Sequence, residues 1–116
     1  MAIINYYTRS GGGTMEIIPE EFLPCDNTRL KKLEKMVVAA CVSHQQVDDF
    51  IRAMQAGAKA KKAELYMERQ ALVEQVRDCK ITPAKAERWR RSIEHRMKQI
   101  ERNEEEIRGW DERLII

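Results

Sequence analysis

The chain is poor in the residues that most catalytic and metal centres are built from. It has two histidines, His44 and His95, and three cysteines, Cys25, Cys41 and Cys79, all widely spaced. No CxxC pair or His/Cys cluster occurs, so nothing matches the ligand spacing of a zinc site, and no metal or cofactor is expected. Five glycines are present, three of them at Gly11, Gly12 and Gly13. That run is neither followed by Lys-Ser nor placed between a strand and a helix, so it is no phosphate-binding loop. Aromatic residues make up 6% of the chain, and none shares the helix stripe of Arg88, Arg91, His95, Lys98 and Arg102, which leaves little for stacking on bases. The longest apolar run, Met36 to Val42, is far too short to span a membrane. No basic stretch leads into an apolar signal core. With an odd number of cysteines, the expected setting is reduced and cytoplasmic.

What the chain has instead is helix-forming composition. Charged residues make up 34% and apolar residues 43%, Ala, Glu, Lys, Arg, Met and Gln are plentiful, and only three prolines interrupt them. The fold class expected is all-α: a long antiparallel helical hairpin, coiled-coil-like, with a short third helix packed at its open end. Residues 1–27 are expected to form a flexible or irregular N-terminal segment, and 28–116 a single helical domain with helices at about 28–42, 44–79 and 83–114.

Within the first segment, Ala2 to Tyr7 is strand-prone and Ser10 to Thr14 reads as a linker. Gly11-Gly12 can be encoded as GGAGGU, which resembles a bacterial ribosome-binding site just before Met15. A natural start at Met15, in a bacterium or a phage, is one reading; a plain glycine linker is the other. Mass spectrometry of the native protein decides between them, because a chain beginning only at Met1 excludes the first. Pro19 and Pro24 then forbid a continuous helix. Asp26-Asn27-Thr28, Ser43 with Gln46, and Thr82-Pro83 are helix-start signals.

The hairpin follows from heptads. Ile51, Ala58, Leu65, Leu72 and Cys79 recur every seven residues, and so do Ala86, Ile93, Ile100, Ile107 and Leu114. Taken in opposite order, the two series pair with a constant index sum, as antiparallel partners joined by a tight turn must. The expected layers are Cys79 with Ala86, Leu72 with Ile93, Leu65 with Ile100, Ala58 with Ile107, and Ile51 with Leu114. Between them, Val76 meets Trp89, Arg69 meets Arg96 and Lys62 meets Asn103. The two arginines need help from Glu68 and Gln99, or must reach solvent, or are covered by a partner. The first helix is expected to cover the open end, along the small-residue track Ala53, Ala56, Gly57 and Ala60. Gly57 reads as a weak point costing about 1 kcal/mol relative to Ala.

Function is expected to lie on the surface. His44 follows a cap, His95 lies on an outer face, and Glu104-Glu105-Glu106 is a solvated run, so no catalytic residues are assigned and an enzyme is not expected. Tyr66, Met67 and Val73 lie off the seam of the second helix, where they offer an apolar face for a partner protein or for self-association. The alternative is that Ile17, Ile18, Phe22 and Leu23 fold back over that face. On the last helix Arg88, Arg91, His95, Lys98 and Arg102 recur at 3-4-3-4 spacing, a candidate contact for phosphates or an acidic partner. Residues 77–102 carry a net charge of +5 and residues 103–116 a net charge of −3. The expected function is non-enzymatic protein–protein interaction, as adaptor, assembly factor or inhibitor of a larger complex; a phage protein directed at a host enzyme or defence system is one such class. The alternative is nucleic-acid binding through the basic hairpin tip. No membrane and no small-molecule substrate is expected as a partner.

Overall fold

A computed structural model of the chain describes residues 2–8, 11–40 and 43–114, with side chains described over 18–39 and 43–113. Two strands, β1 (Ala2–Thr8) and β2 (Gly11–Ile17), precede four helices: α1 (Pro19–Phe22), α2 (Asn27–Ala40), α3 (His44–Arg77) and α4 (Pro83–Leu114). The molecule is elongated, 59 × 26 × 20 Å. From Pro19 onward it is the all-α architecture expected: α3 and α4 pack along each other as an antiparallel hairpin, with α1 and α2 against its open end. Cys41, Val42 and the Leu114 side chain, the last expected opposite Ile51, lie outside the described parts.

The helix starts use the chemistry their sequences carry. Asp26 Oδ1 accepts from the Arg29 amide at 3.0 Å, Ser43 Oγ from the Gln46 amide at 3.2 Å, and Thr82 Oγ1 from the Lys85 amide at 3.3 Å. Each bond satisfies one of the amides that a helix leaves without an internal partner.

The seam holds over the heptad layers from Ile51 to Leu72 of α3. Leu72, Ile93, Leu65, Ile100, Ala58, Ile107 and Ile51 are all buried. Each large aliphatic among them contributes about 1.5–3 kcal/mol before entropy costs. Beyond them a broader core fills the open end: Leu30, Leu33 and Val37 of α2, Phe50 and Met54 of α3, and Trp110 of α4, joined by Leu23 and Cys25. The Phe50 and Trp110 rings stack with centroids 5.4 Å apart.

Four expectations change. The Gly11–Thr14 stretch is not a linker: Gly11–Ile17 pairs antiparallel with Ala2–Thr8, from Ala2↔Ile17 to Thr8↔Gly11, and β1 lies against α2 and α3. Inter-strand main-chain hydrogen bonds need no side chains, so the glycines do not prevent pairing. The small-residue track receives α1 and not α2, which lies against α4 instead. At Gly57 it receives Pro19 of α1, so closely that a Cβ there would overlap the proline ring. The Val76–Trp89 layer does not close, since Val76 is half exposed and the Trp89 Nε1–H donates to Glu68 Oε1 at 2.8 Å.

The fourth is Cys79, which is exposed and not a seam residue. Helix α3 ends at Arg77, Cys79 has φ 55°, and the Lys80 amide donates to the Gln75 carbonyl while that of Cys79 donates to Val76. This is a Schellman cap with cysteine in the left-handed position that glycine prefers. The left-handed conformation costs a residue with a Cβ about 1–2 kcal/mol. Cys79→Gly should therefore stabilise the protein by about 1 kcal/mol, since glycine's larger unfolded-state entropy offsets part of the gain. A melting temperature higher by a few degrees in a thermal unfolding experiment is the expected result; an unchanged or lower one removes the cap assignment.

Candidate interaction surface

Among the described residues, the two long faces of the hairpin are packed differently. Asn103 and Trp110 of α4 and Phe50, Met54 and Gly57 of α3 mark the front, where α1, α2 and the connecting loop pack. On the back face near the open end, polar cross-helix pairs close the seam: Lys62 Nζ lies 3.1 Å from Glu104 Oε1, and Gln55 Nε2 3.5 Å from Asp111 Oδ2. Towards the turn the same back face becomes apolar. Tyr66, Val73 and Val76 of α3 are 53%, 52% and 50% exposed there.

Their arrangement is a shallow trough over the seam. One hollow, of about 440 Å³, lies near the turn between Val73, Val76, Pro83 and Ala86, with Leu72 as its floor. A second, of about 380 Å³, lies nearer the middle between Tyr66, Ile93 and Met97. Arg69 borders both. Helical geometry explains the line: residues 66, 69, 73 and 76 are spaced 3-4-3 and so share one stripe. Of the apolar face expected from sequence, Tyr66 and Val73 are therefore brought together. Met67 is 74% exposed and is not among the trough residues, because one position past Tyr66 turns it about 100° around the helix. Val76 is a trough residue that the sequence reading places in the seam opposite Trp89, although it continues the same 3-4-3 stripe. Among the described residues before α2, Phe22 and Leu23 do not cover this face. Leu23 is buried in the open-end core, Phe22 packs against it, and Arg29 sits over the Phe22 ring at 4.4 Å.

The mid-hairpin arginine conflict is resolved on the front side. Arg96 donates twice to Glu68, at 2.9 and 2.8 Å, and Glu68 also accepts from Trp89. The arginine's hydrogen bonds hold the Glu68 carboxyl below its ordinary range, and burial opposes this only in part. A carboxylate whose folded pKa is depressed stabilises above its unfolded pKa and loses that contribution as pH falls through the folded value. Glu68→Gln should therefore destabilise by about 1 kcal/mol at pH 7, a figure reduced for partial solvent screening. The gap to the parent should close in acid, as urea unfolding at a series of pH values will read. A gap that stays constant down to acid pH would mean the ion pair contributes nothing.

The basic stripe is where the spacing put it. Arg88, Arg91, His95, Lys98 and Arg102 are all exposed on the outer side of α4. Its charge is partly consumed: Arg91 Nε lies 3.2 Å from Glu87 Oε1, and Glu87 also binds the neighbouring Arg90. The Arg90 and Arg91 guanidiniums pull the Glu87 carboxyl down to about 2. Among the described residues, Arg88, Lys98 and Arg102 have no carboxylate within 4 Å. No group of three His, Cys, Asp or Glu residues among those described is placed to hold a metal ion, and no helix among them is long and apolar enough to cross a membrane. No protein-family model, curated protein or solved structure matches the chain.

Proposed function

We propose that this is a non-enzymatic helical protein that acts by protein–protein interaction, as an adaptor, assembly factor or inhibitor of a larger complex, through the trough on the back of its hairpin. The observation that carries this reading is the half-exposed row Tyr66, Val73 and Val76 over a seam that lacks the third layer present at the open end. Exposed apolar side chains in a row beside a hollow are what partner helices and interface anchors fill. The trough also has polar side chains at its margins, Arg69, Glu87, Arg90 and Glu94, as interfaces have at their rims.

The second reading is nucleic-acid binding by the stripe Arg88, Arg91, His95, Lys98 and Arg102, which the exposure of these side chains favours. The two readings separate in one comparison. Tyr66→Asp and the triple change Arg88/Arg91/Lys98→Glu are both surface variants. Affinity purification from the source cell, with nuclease treatment and a salt titration, is run on each. Loss of the captured partner on Tyr66→Asp alone, with nuclease and salt of little effect, supports protein binding. Loss on the triple change, steep salt dependence and nuclease sensitivity would overturn it in favour of nucleic acid.

A further inference from the structure

The chemistry of the trough narrows its occupant. Among the described residues Arg69 has no carboxylate within ion-pair range, whereas Arg90 on the opposite wall is held by both Glu87 and Glu94. Lys98 and Glu101, beside the second hollow, offset each other in charge. The charged side chains of the two linings sum to zero, three cations and three carboxylates, but Arg69 stands between the hollows with no carboxylate in ion-pair range among the described residues. Tyr66 belongs to one hollow and Val73 to the other, seven residues apart on α3, or about 10.5 Å along its axis. A helix laid along the trough presents side chains at the same interval, seven residues apart on one face. The groove between two helices is also the shape a third helix fills.

Resting on the reading of this face as a protein-binding surface, we propose that the occupant is an amphipathic helix of a partner protein with two apolar anchors seven residues apart and an acidic residue between them. One anchor fills each hollow and the carboxylate pairs with Arg69. A second copy of this chain fits less well. Docked about a two-fold axis through the middle of the trough, it brings Arg69 towards its own counterpart, and the carboxylates Glu87 and Glu94 that it carries there are already held by Arg90.

The test uses the full chain and three labelled synthetic helical peptides, each of about 18 residues, or five turns. All carry Leu at two positions seven apart; the residue four after the first Leu is Glu, Gln or Lys. Binding is followed by fluorescence anisotropy, and self-association of the protein by sedimentation. The Glu peptide is expected to bind about fivefold more tightly than the Gln peptide, and the Lys peptide most weakly. Arg69→Glu should reverse that order, and Val73→Asp should abolish binding of all three. Both residues are exposed, and circular dichroism checks that the helices persist. An order that Arg69→Glu leaves unchanged, with binding still lost on Val73→Asp, overturns the acidic occupant while leaving a protein-binding face in place. Failure of all three peptides to bind at millimolar concentration overturns the helical occupant. A dimer in sedimentation that Val73→Asp disperses assigns the trough to a second copy instead.

Discussion

Changing Asn103 to Asp should destabilise the protein by about 3 kcal/mol at pH 7 and much less at pH 4. Asn103 is completely buried on α4. Its Oδ1 accepts from the Cys25 amide at 3.1 Å, and its Nδ2 donates to the Cys25 carbonyl at 2.7 Å and to Asn27 Oδ1 at 3.1 Å. One side chain thus satisfies both main-chain groups of a residue in the loop between α1 and α2. It fixes that loop to the hairpin beside Cys25, whose thiol burial pushes up to about 11. An aspartate keeps the acceptor but sets an oxygen where the donor stood, facing the Cys25 carbonyl. Ionising it there adds desolvation and repulsion, so its folded pKa lies above its unfolded value of about 3.9. The penalty is therefore absent below the unfolded pKa, where a protonated oxygen donates to the carbonyl, and grows as pH rises towards the folded pKa. A folded pKa about two above the unfolded one is enough for a loss of this size, at about 1.4 kcal/mol for each tenfold change in proton affinity.

Asn103→Ala is the companion variant. It leaves the Cys25 N–H and C=O without a partner, at about 1–3 kcal/mol for each buried group, and the loss is independent of pH. Urea unfolding of parent, Asp and Ala variants at pH 4 and pH 7 reads all three. An Asp variant as stable as the parent at pH 7 would mean that the loop does not dock on Asn103.

The second large effect is expected at Gly57. On helix propensity alone, Gly57→Ala should stabilise α3 by up to about 1 kcal/mol. In the folded protein the added methyl overlaps Cβ of the buried Pro19 and comes within 3.2 Å of its Cγ and 3.3 Å of its Cα. A proline ring has no rotamer to swing aside, so α1 itself must shift. Overpacking of this kind costs about 1–3 kcal/mol, and the expected net result is destabilisation of about 2 kcal/mol. Because the strain falls on the junction of α1 and α3, residues 18–27 should also become easier to cleave in limited proteolysis. A variant that is more stable than the parent would show that Pro19 does not sit on Gly57.

Both sites show why part of this fold was legible and part was not. The hairpin pairing was legible because a heptad seam is a periodic property: two helices of known register and a tight turn leave one antiparallel alignment, and Leu72–Ile93, Leu65–Ile100 and Ala58–Ile107 bury together in it. Helix starts were legible for a related reason, since Ser43 and Thr82 act on amides only three residues away. Contacts with no fixed interval were not. Asn103 looked like a flaw in the seam opposite Lys62, yet it anchors a loop 78 residues away in sequence, while Lys62 turns to Glu104. Gly57 looked like a weak point in a helix until the proline against it is seen.

The candidate site divides in the same way. Residue spacing alone settles the helical hairpin, its register, and the stripes that carry Tyr66, Val73 and the basic row, because a helix converts spacing into direction. Which stripe is left uncovered depends on the packing of distant elements. The loop and α1 pack at the open end, where Gly57 and Asn103 admit them, so the back of the hairpin near the turn keeps its apolar row exposed. Packing also decides which arginine is left over. Glu68 binds Arg96 on the front side, Glu87 and Glu94 bind Arg90, and Arg69 stands between two hollows without a carboxylate among the described residues. Which charges neutralise each other depends on a few ångströms between side chains on different helices, and no spacing within one helix encodes that distance.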